Sequence, residues 1–303
     1  QALMQNRQPK SMAIIGGGPV GSEIATFYNS FGTRVILFQM EKNILDKEDV
    51  DIAKLAHEAM EKSGVEIVSG ASIDQFINSC GGVYGVKVTE AGVAQTHAVE
   101  QVVMATGKRS NISRLGLEDW LELDSQGNIQ TNAEQRTNIK HIFAAGDVDG
   151  GMQFTHIAHY EGVIAGKNAA RSAKNKRSGF EKSDQRVVPR AIFVIPEIAS
   201  VGQTEQQAKE KFGKVLIGKA YTDGLGRSIT EHAGKGMVKI IAHPKTRKVI
   251  GGHIMCERAG EMIHEIALAM HLNASVDKLA SMIHAFPTYN EGIVLAAEAV
   301  KME

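Results

Sequence analysis

Apolar and polar positions alternate in blocks along the N-terminal part of the chain. Ser11–Ile15 is a short continuous apolar run, the pattern of a strand buried on both faces. Gly16-Gly17-Gly18-Pro19-Val20-Gly21 follows, and then Ile24, Phe27, Tyr28 and Phe31 recur at the spacing of one helical face. Gly32 stands where a helix ends in the left-handed conformation. Val35–Phe38 is a second apolar run, Ile52–Lys62 a second helical pattern ending at Gly64, and Val65–Val68 a third run. This β-α-β-α-β order is the mononucleotide-binding half of an α/β domain. Val83–Val88 and Gln101–Met104 add strands, with Ala105-Thr106-Gly107 as a turn.

Beyond Gly107 the pattern changes twice. The region 108–184 is rich in loops, with a predicted buried strand at Ile142–Ala145 running into Gly146-Asp147, then a helix from about His156 to Ala173. Arg171–Arg190, rich in Lys, Arg, Ser and Asn, reads as a solvated linker. The region 187–303 mixes strands at Arg190–Val194, Val215–Ala220, Met237–Ala242 and Val249–Met255 with helices at Glu205–Lys211, Gly260–Leu272, Val276–Met282 and Glu291–Val300. Runs of strands beside separate helices predict an α+β layer.

Composition narrows the function. At 303 residues the chain has the length of two or three domains rather than one core. Its 34 basic residues balance 34 acidic ones, which argues against the basic face that nucleic acid or an anionic membrane would need. No apolar run approaches the ~18 residues of a transmembrane helix, and no secretory signal pattern opens the chain. Cys80 and Cys256 stand far apart with no third cysteine, which excludes a disulfide framework, a thiolate zinc site and a local CxxC pair. A reducing, cytoplasmic compartment follows. The 31 glycines point to many tight turns and close backbone approaches.

The strongest chemical signal is Gly16-x-Gly18-x-x-Gly21 between a strand and a helix. The first glycine makes the turn, the second admits a pyrophosphate to the backbone, and the third packs helix on strand. The free N–H groups at the helix start attract phosphate. An acidic residue is expected at the end of the second strand to hold a ribose hydroxyl; Gln39 stands there. Gln accepts a hydrogen bond without repelling a 2′-phosphate, so NADP stays open, while the lack of an arginine cluster points toward NAD. Glu23 lies in the first helical turn, where dipole complementarity is an alternative reading. Asp147 follows a buried run, either offering a carboxylate to a ligand's hydroxyls or making an ordinary Asx turn. Glu291 lies near the start of the last helix, where capping is the alternative. Glu261, His264 and Glu265 share a helix, but the further ligands of a diiron or zinc site are missing, and no metal is expected.

Four stretches, in this order, resemble one family: the GxGxxGxE stretch, Ala105-Thr106-Gly107-Lys108-Arg109-Ser110-Asn111, Ala145-Gly146-Asp147 followed by Thr155-His156-Ile157-Ala158, and Pro287-Thr288 followed by Glu291. It is the pyridine nucleotide–disulfide oxidoreductases, which include dihydrolipoamide dehydrogenase, glutathione reductase and mercuric reductase. The resemblance spans essentially the whole chain and implies an α/β fold. Residues 11–107 would form a doubly wound, Rossmann-type NAD(P)-binding domain. Residues 108–184 would form the second segment of an FAD-binding domain, with Asp147 on the flavin ribityl chain, and 187–303 a C-terminal α+β dimerisation domain. The cofactors implied are FAD and NAD, held by Gly16, Gly18, Pro19, Val20, Gly21, Glu23, Gln39, Gly107, Gly146, Asp147, Thr155 and Ala158. The implied partners are a second copy of the chain, through the C-terminal domain, and a small-molecule substrate, with neither nucleic acid nor membrane.

This sequence departs from the family pattern in two ways. No first FAD-binding segment with its own GxGxxG and CxxxxC pair is found, so the chain, opening on Gln1, reads as the C-terminal portion of a longer enzyme. Dithiol-processing members place a His immediately before the Pro of the Pro-Thr motif, as partner of the Glu. Here that position is Phe286, with His284 two residues earlier. Carbon cannot shuttle protons, so thiol chemistry should suffer unless His284 joins Glu291 as the catalytic pair. An aromatic residue there resembles the mercuric-reductase-like and soluble-transhydrogenase-like branches, yet the chain ends Lys301-Met302-Glu303 without vicinal cysteines. Pro19 stands where glutathione-reductase-like members carry an aromatic lid. The expected function is hydride transfer from NAD(P)H to FAD and on to a disulfide, metal-ion or small-molecule acceptor. The alternatives are dihydrolipoamide dehydrogenase proper, and an inactive nicotinamide-binding and dimerisation module.

Overall fold

Nine elements in the computed structural model build the dinucleotide half: β1 (Ser11–Ile15), α1 (Pro19–Ser30), β2 (Arg34–Gln39), α2 (Val50–Ser63), β3 (Glu66–Ser69), β4 (Ser72–Ser79), β5 (Val83–Glu90), β6 (Val93–Val99) and β7 (Gln101–Met104). The structure describes residues 2–79, 81–90, 92–113, 115–117, 119–176 and 178–303; Cys80 lies outside the described residues. The parallel sheet has the order β3-β2-β1-β7, with Met12 opposite both Val35 and Gln101. Both faces are buried, as the apolar runs predict. Met12 and Ile14 pack with Ala25, Tyr28, Ile52, Ala56 and Met60 of α1 and α2. Ala13 and Ile15 pack on the other face with Val86, Val88 and Val99.

On that second face the strand expected at Val83–Val88 forms. Val83–Val88 belongs to no parallel sheet; β5 is the middle strand of an antiparallel meander, β4-β5-β6, lying on it. β4 and β6 escape a reading by apolar runs because Asp74, Gln75, Asn78, Gln95 and Thr96 interrupt them. Local signals set the helix ends. Asp49 caps α2 by accepting from the Asp51 N–H, and Gly64 closes it in the left-handed conformation.

The backbone divides into two compact units, one joining residues 1–106 with 189–303 and the other spanning 107–188. The smaller unit has a core of Ile112, Leu121 and Ile129, ringed by Leu117, Leu123, Ile139, Ile142, Ala144 and Val148. Its long helix is α3 (Thr155–Ala173), which runs into the predicted linker. The expected strand at Ile142–Ala145 is reduced to one bridge, Phe143 to Arg136, because only the short loop 135–137 lies alongside it.

The C-terminal part of the larger unit comprises β8 (Arg190–Ile192), β9 (Glu197–Gly202), α4 (Glu205–Phe212), β10 (Leu216–Tyr221), α5 (Gly226–Glu231), β11 (Met237–Ala242), β12 (Val249–Cys256), α6 (Ala259–His271), α7 (Val276–Ala280), α8 (Glu291–Glu298) and β13 (Lys301–Met302). Six strands form an antiparallel sheet, β13-β10-β11-β12-β9-β8. Helix α6 lies on β12 and β9, and α8 on β10 and β11. A full capping box, Thr204 with Gln207, opens α4. Ile192, Val194, Ile198, Met237 and Met255 join the same apolar cluster as α1 and α2, so this sheet and the dinucleotide half share a core.

Candidate functional site

The glycine turn separates what the fold needs from what a ligand needs. Gly16 has φ +106°, and a Cβ there would lie 2.6 Å from the Ala105 carbonyl oxygen. A Cβ on Gly21 would lie 1.9 Å from the Gly16 carbonyl oxygen, so α1 can seat on β1 only with glycine there. Gly18 differs: its φ of −73° suits any residue, and a Cβ there would meet nothing within 4 Å. The backbone at Gly18 therefore faces open space at the helix start. It caps α1, with Pro19 fitting the first turn and Val20 half exposed beside it. The first-turn N–H groups are free to take an anion there. This cradle fits a pyrophosphate, and a side chain at Gly18 would fill it.

Gln39 ends β2 beside this turn, with its side chain directed inward. Its Oε1 accepts from the Gly17 N–H at 3.0 Å, and its Nε2 donates to the Asn43 carbonyl at 3.3 Å. On the other side of the turn, Glu23 reaches out of α1 and accepts the Phe193 N–H at 3.0 Å. That bond ties the second turn of α1, where Glu23 lies in place of the expected first turn, to the loop after β8, beside an open cavity of about 310 Å³ lined by Phe193, Val194, Ile195, Pro196, Glu197 and Glu257. Glu23 thus has a definite partner within the same unit, in place of the first-turn dipole contact expected of it.

The smaller unit holds Gly107, Gly146, Asp147, Thr155 and Ala158. Gly146 has φ +79°, and a Cβ there would lie 2.8 Å from the Cβ of Ala158 in the first turns of α3, which Thr155 opens. Its N–H donates to the Glu161 carboxylate at 2.7 Å. Burial pushes the Glu161 carboxyl above the usual range, against the lowering by the Gly146 N–H. Glu161 therefore fixes the loop that presents Asp147, whose half-exposed carboxylate accepts from Lys108 Nζ at 2.7 Å. Gly107 has φ +116° with open space around it.

In the C-terminal turn the two residues expected to act together, His284 and Glu291, have different hydrogen-bond partners. Glu291 accepts the Thr288 N–H at 3.1 Å, a bond that braces the turn before its helix and does not cap it, since Asn290 holds the N-cap position without a side-chain bond. His284 places Nε2 at 2.8 Å from Glu265 Oε1 and Nδ1 at 3.1 Å from the Met282 carbonyl. Asn290 donates to the other Glu265 oxygen at 2.7 Å. His284 thus belongs to a partly buried pair with Glu265 of α6, while Phe286, between His284 and Glu291 in sequence, is 79% exposed. Glu265→Ala is expected to cost about 1–3 kcal/mol of stability in denaturant unfolding, by stranding the His284 ring and the Asn290 amide. Glu265→Gln should recover part of that. Cys256 is buried, and burial pushes its thiol up to about 12, so it offers no thiolate.

A buried ionic network escaped the sequence reading. Lys239 in β11 is fully buried and places Nζ 2.6 Å from Asp49, Asp51 and Glu205. Glu48 accepts from Arg190 at 2.9 Å and from the Ser200 hydroxyl at 2.7 Å. His253 in β12 is fully buried against the Gln203 carbonyl, and burial pushes its ring below the usual imidazole range. The available signal was a Lys and a His inside otherwise apolar strand runs.

Comparisons with known proteins agree with this architecture. The profile described as pyridine nucleotide-disulphide oxidoreductase matches residues 1–162, and that of the family's dimerisation domain matches 188–297. A mercuric reductase of Staphylococcus aureus is 33% identical over 297 residues, covering 98% of this chain and 53% of the relative. A dihydrolipoyl dehydrogenase of Bacillus subtilis is 32% identical over 301 residues, covering 99% of this chain and 62% of the relative. The chain thus spans less than two thirds of these relatives. Among solved structures, the HOCl-induced flavoprotein disulfide reductase RclA from Escherichia coli superposes with a TM-score of 0.86 at 26% identity, over 99% of this chain and 67% of that one. The motif order, the glycine turn and both profiles converge, and the chain belongs to the pyridine nucleotide–disulphide oxidoreductase family.

Proposed function

We propose that this chain supplies the nicotinamide site, one segment of the flavin site and the dimerisation domain of an enzyme that passes a hydride from NAD(P)H to FAD. The acceptor beyond FAD is a disulfide, a metal ion or a small molecule. The observation that carries the reading is Gly18, a glycine that the fold does not require and that leaves the start of α1 open. FAD, when bound, would accept the hydride and hand its two electrons on. The chain's own residues would bind and orient. The turn from Gly16 to Gly21 would hold the pyrophosphate, and Glu23 would brace the loop at Phe193. Asp147, steadied through Glu161 and Gly146, would meet the flavin's ribityl hydroxyls. We assign residues 187–303 to a homodimer contact, which the match to the family's dimerisation profile supports.

Phe286 separates this reading from dihydrolipoamide dehydrogenase proper. With no ring nitrogen before Pro287, and with His284 bonded to Glu265, proton transfer with a dithiol substrate should lose about 10²–10⁴-fold in rate, leaving dithiol turnover slower than flavin reduction. Stopped-flow comparison of the two half-reactions in the full-length protein tests this, and equal rates would remove the weight placed on Phe286. For the main proposal, NADH or NADPH added anaerobically to the full-length protein should bleach the flavin's visible absorption band. A protein that binds flavin but is bleached by neither nucleotide would refute it. The inactive-module reading predicts instead that this chain binds nucleotide and dimerises with no flavin band.

A further inference from the structure

We infer that Gln39 makes the dinucleotide site indifferent to the 2′-substituent, so that NADH and NADPH bind this chain with similar affinity; the inference rests on the nicotinamide site proposed above. Discrimination at this place in an α/β fold comes from a charge at the end of the second strand. A carboxylate accepts the 2′-hydroxyl and repels a 2′-phosphate, and an arginine does the reverse. Gln39 carries no charge. Its carboxamide is spent inside the turn, with Oε1 on the Gly17 N–H and Nε2 on the Asn43 carbonyl, and the residue is only 8% exposed. It therefore acts as a positioning residue that holds Gly17, the neighbour of the open Gly18.

Its neighbours do not restore selectivity. Met40 is 75% exposed and uncharged, and the exposed Glu41 and Lys42 that follow carry opposite charges. The strand end thus presents no net sign to the ribose. Among the described residues of this strand end, a 2′-hydroxyl finds no buried acceptor built for it, and a 2′-phosphate meets Glu41 and Lys42 with opposing effects and no guanidinium fork.

The test is equilibrium titration of the chain with NADH and with NADPH, read by nicotinamide fluorescence. The two dissociation constants are expected to agree within about threefold, and a preference beyond about tenfold for either would overturn the inference. Gln39→Glu keeps an acceptor for Gly17 but adds a negative charge. It should weaken NADPH relative to NADH by about tenfold, with some loss of thermal stability because the second carboxylate oxygen faces the Asn43 carbonyl that Nε2 now binds. An unchanged ratio in the folded variant would show that position 39 does not face the 2′-position and would also overturn it. The parent ratio decides the matter even if the variant does not fold. Failure of both nucleotides to bind is a separate result that removes the nicotinamide site itself.

Discussion

Lys239→Met is expected to destabilise the chain by about 3–5 kcal/mol, because it leaves buried carboxylates without their cation. Lys239 has no exposed surface, and Asp49 is 1% exposed. Nζ meets Asp49 and Asp51 at the start of α2 and Glu205 at the start of α4, each at 2.6 Å. The network also ties in Lys219 on Asp51 and Lys209 on Glu205. Burial lowers the Lys239 value, but Asp49, Asp51 and Glu205 raise it more, so the ammonium is held above its ordinary range. For Asp51 burial raises the value, and Lys219 and Lys239 outweigh it, leaving the carboxyl below its ordinary range. Glu205 is lowered in the same way by Lys209 and Lys239.

The pH dependence follows from those directions. The lowered carboxyls stabilise the fold above their unfolded values, and that contribution is lost as pH falls through the folded ones. The raised Lys239 stabilises below its unfolded value, and that contribution is lost as pH rises through the folded one. Lys239→Met should therefore lose most stability between these limits and flatten the acid limb of a plot of unfolding free energy against pH. Adding Asp49→Asn and Glu205→Gln should recover much of the loss, since a network without net buried charge tolerates an apolar centre. Full stability in Lys239→Met alone would mean that water reaches the cluster.

Gly18→Val and Gly21→Ala should fail in opposite ways. The Cβ of a valine at Gly18 would meet no atom within 4 Å, and the residue needs no unusual φ. Stability should change by less than about 1 kcal/mol, the lost backbone freedom of the unfolded chain offsetting a poorer cap. The side chain would instead occupy the approach to the α1 N-terminus. Losing one or two charged hydrogen bonds to phosphate, at about 1.5–3 kcal/mol each, weakens dinucleotide binding tenfold to more than a hundredfold. Alanine at Gly21 would set a Cβ 1.9 Å from the Gly16 oxygen, forcing α1 off β1 at a cost of about 1–3 kcal/mol or more. Paired unfolding curves and nucleotide titrations read both effects. A Gly18→Val variant that binds as the parent does would mean that the turn is not the pyrophosphate site.

Much of the dinucleotide half was legible because its signals are local. The apolar run at Ser11–Ile15, the helical spacing of Ile24, Tyr28 and their neighbours, and the glycines between them each depend on residues close in sequence. β9 was missed because Glu197–Gly202 starts after a proline and is rich in small residues, although it lies inside the C-terminal sheet. Long-range pairs were illegible in principle. Lys239 and Asp49 are 190 positions apart, and a lysine in an apolar run does not announce which carboxylates will receive it. The same limit governed the site. Gln39 was readable as an acceptor at the strand end, but its commitment to Gly17 and Asn43 depends on how the turn closes. His284 stands near Glu291 in sequence, yet α6 brings Glu265 to it instead.

Whether a nicotinamide dinucleotide seats on the glycine turn is decided by calorimetric titration of NADH into the 303-residue chain and into its Gly18→Val variant. The expected result is saturable binding at one site per chain in the parent and its loss in a variant that unfolds at the same temperature. Absence of binding by the folded parent, or equal binding by both proteins, would contradict it.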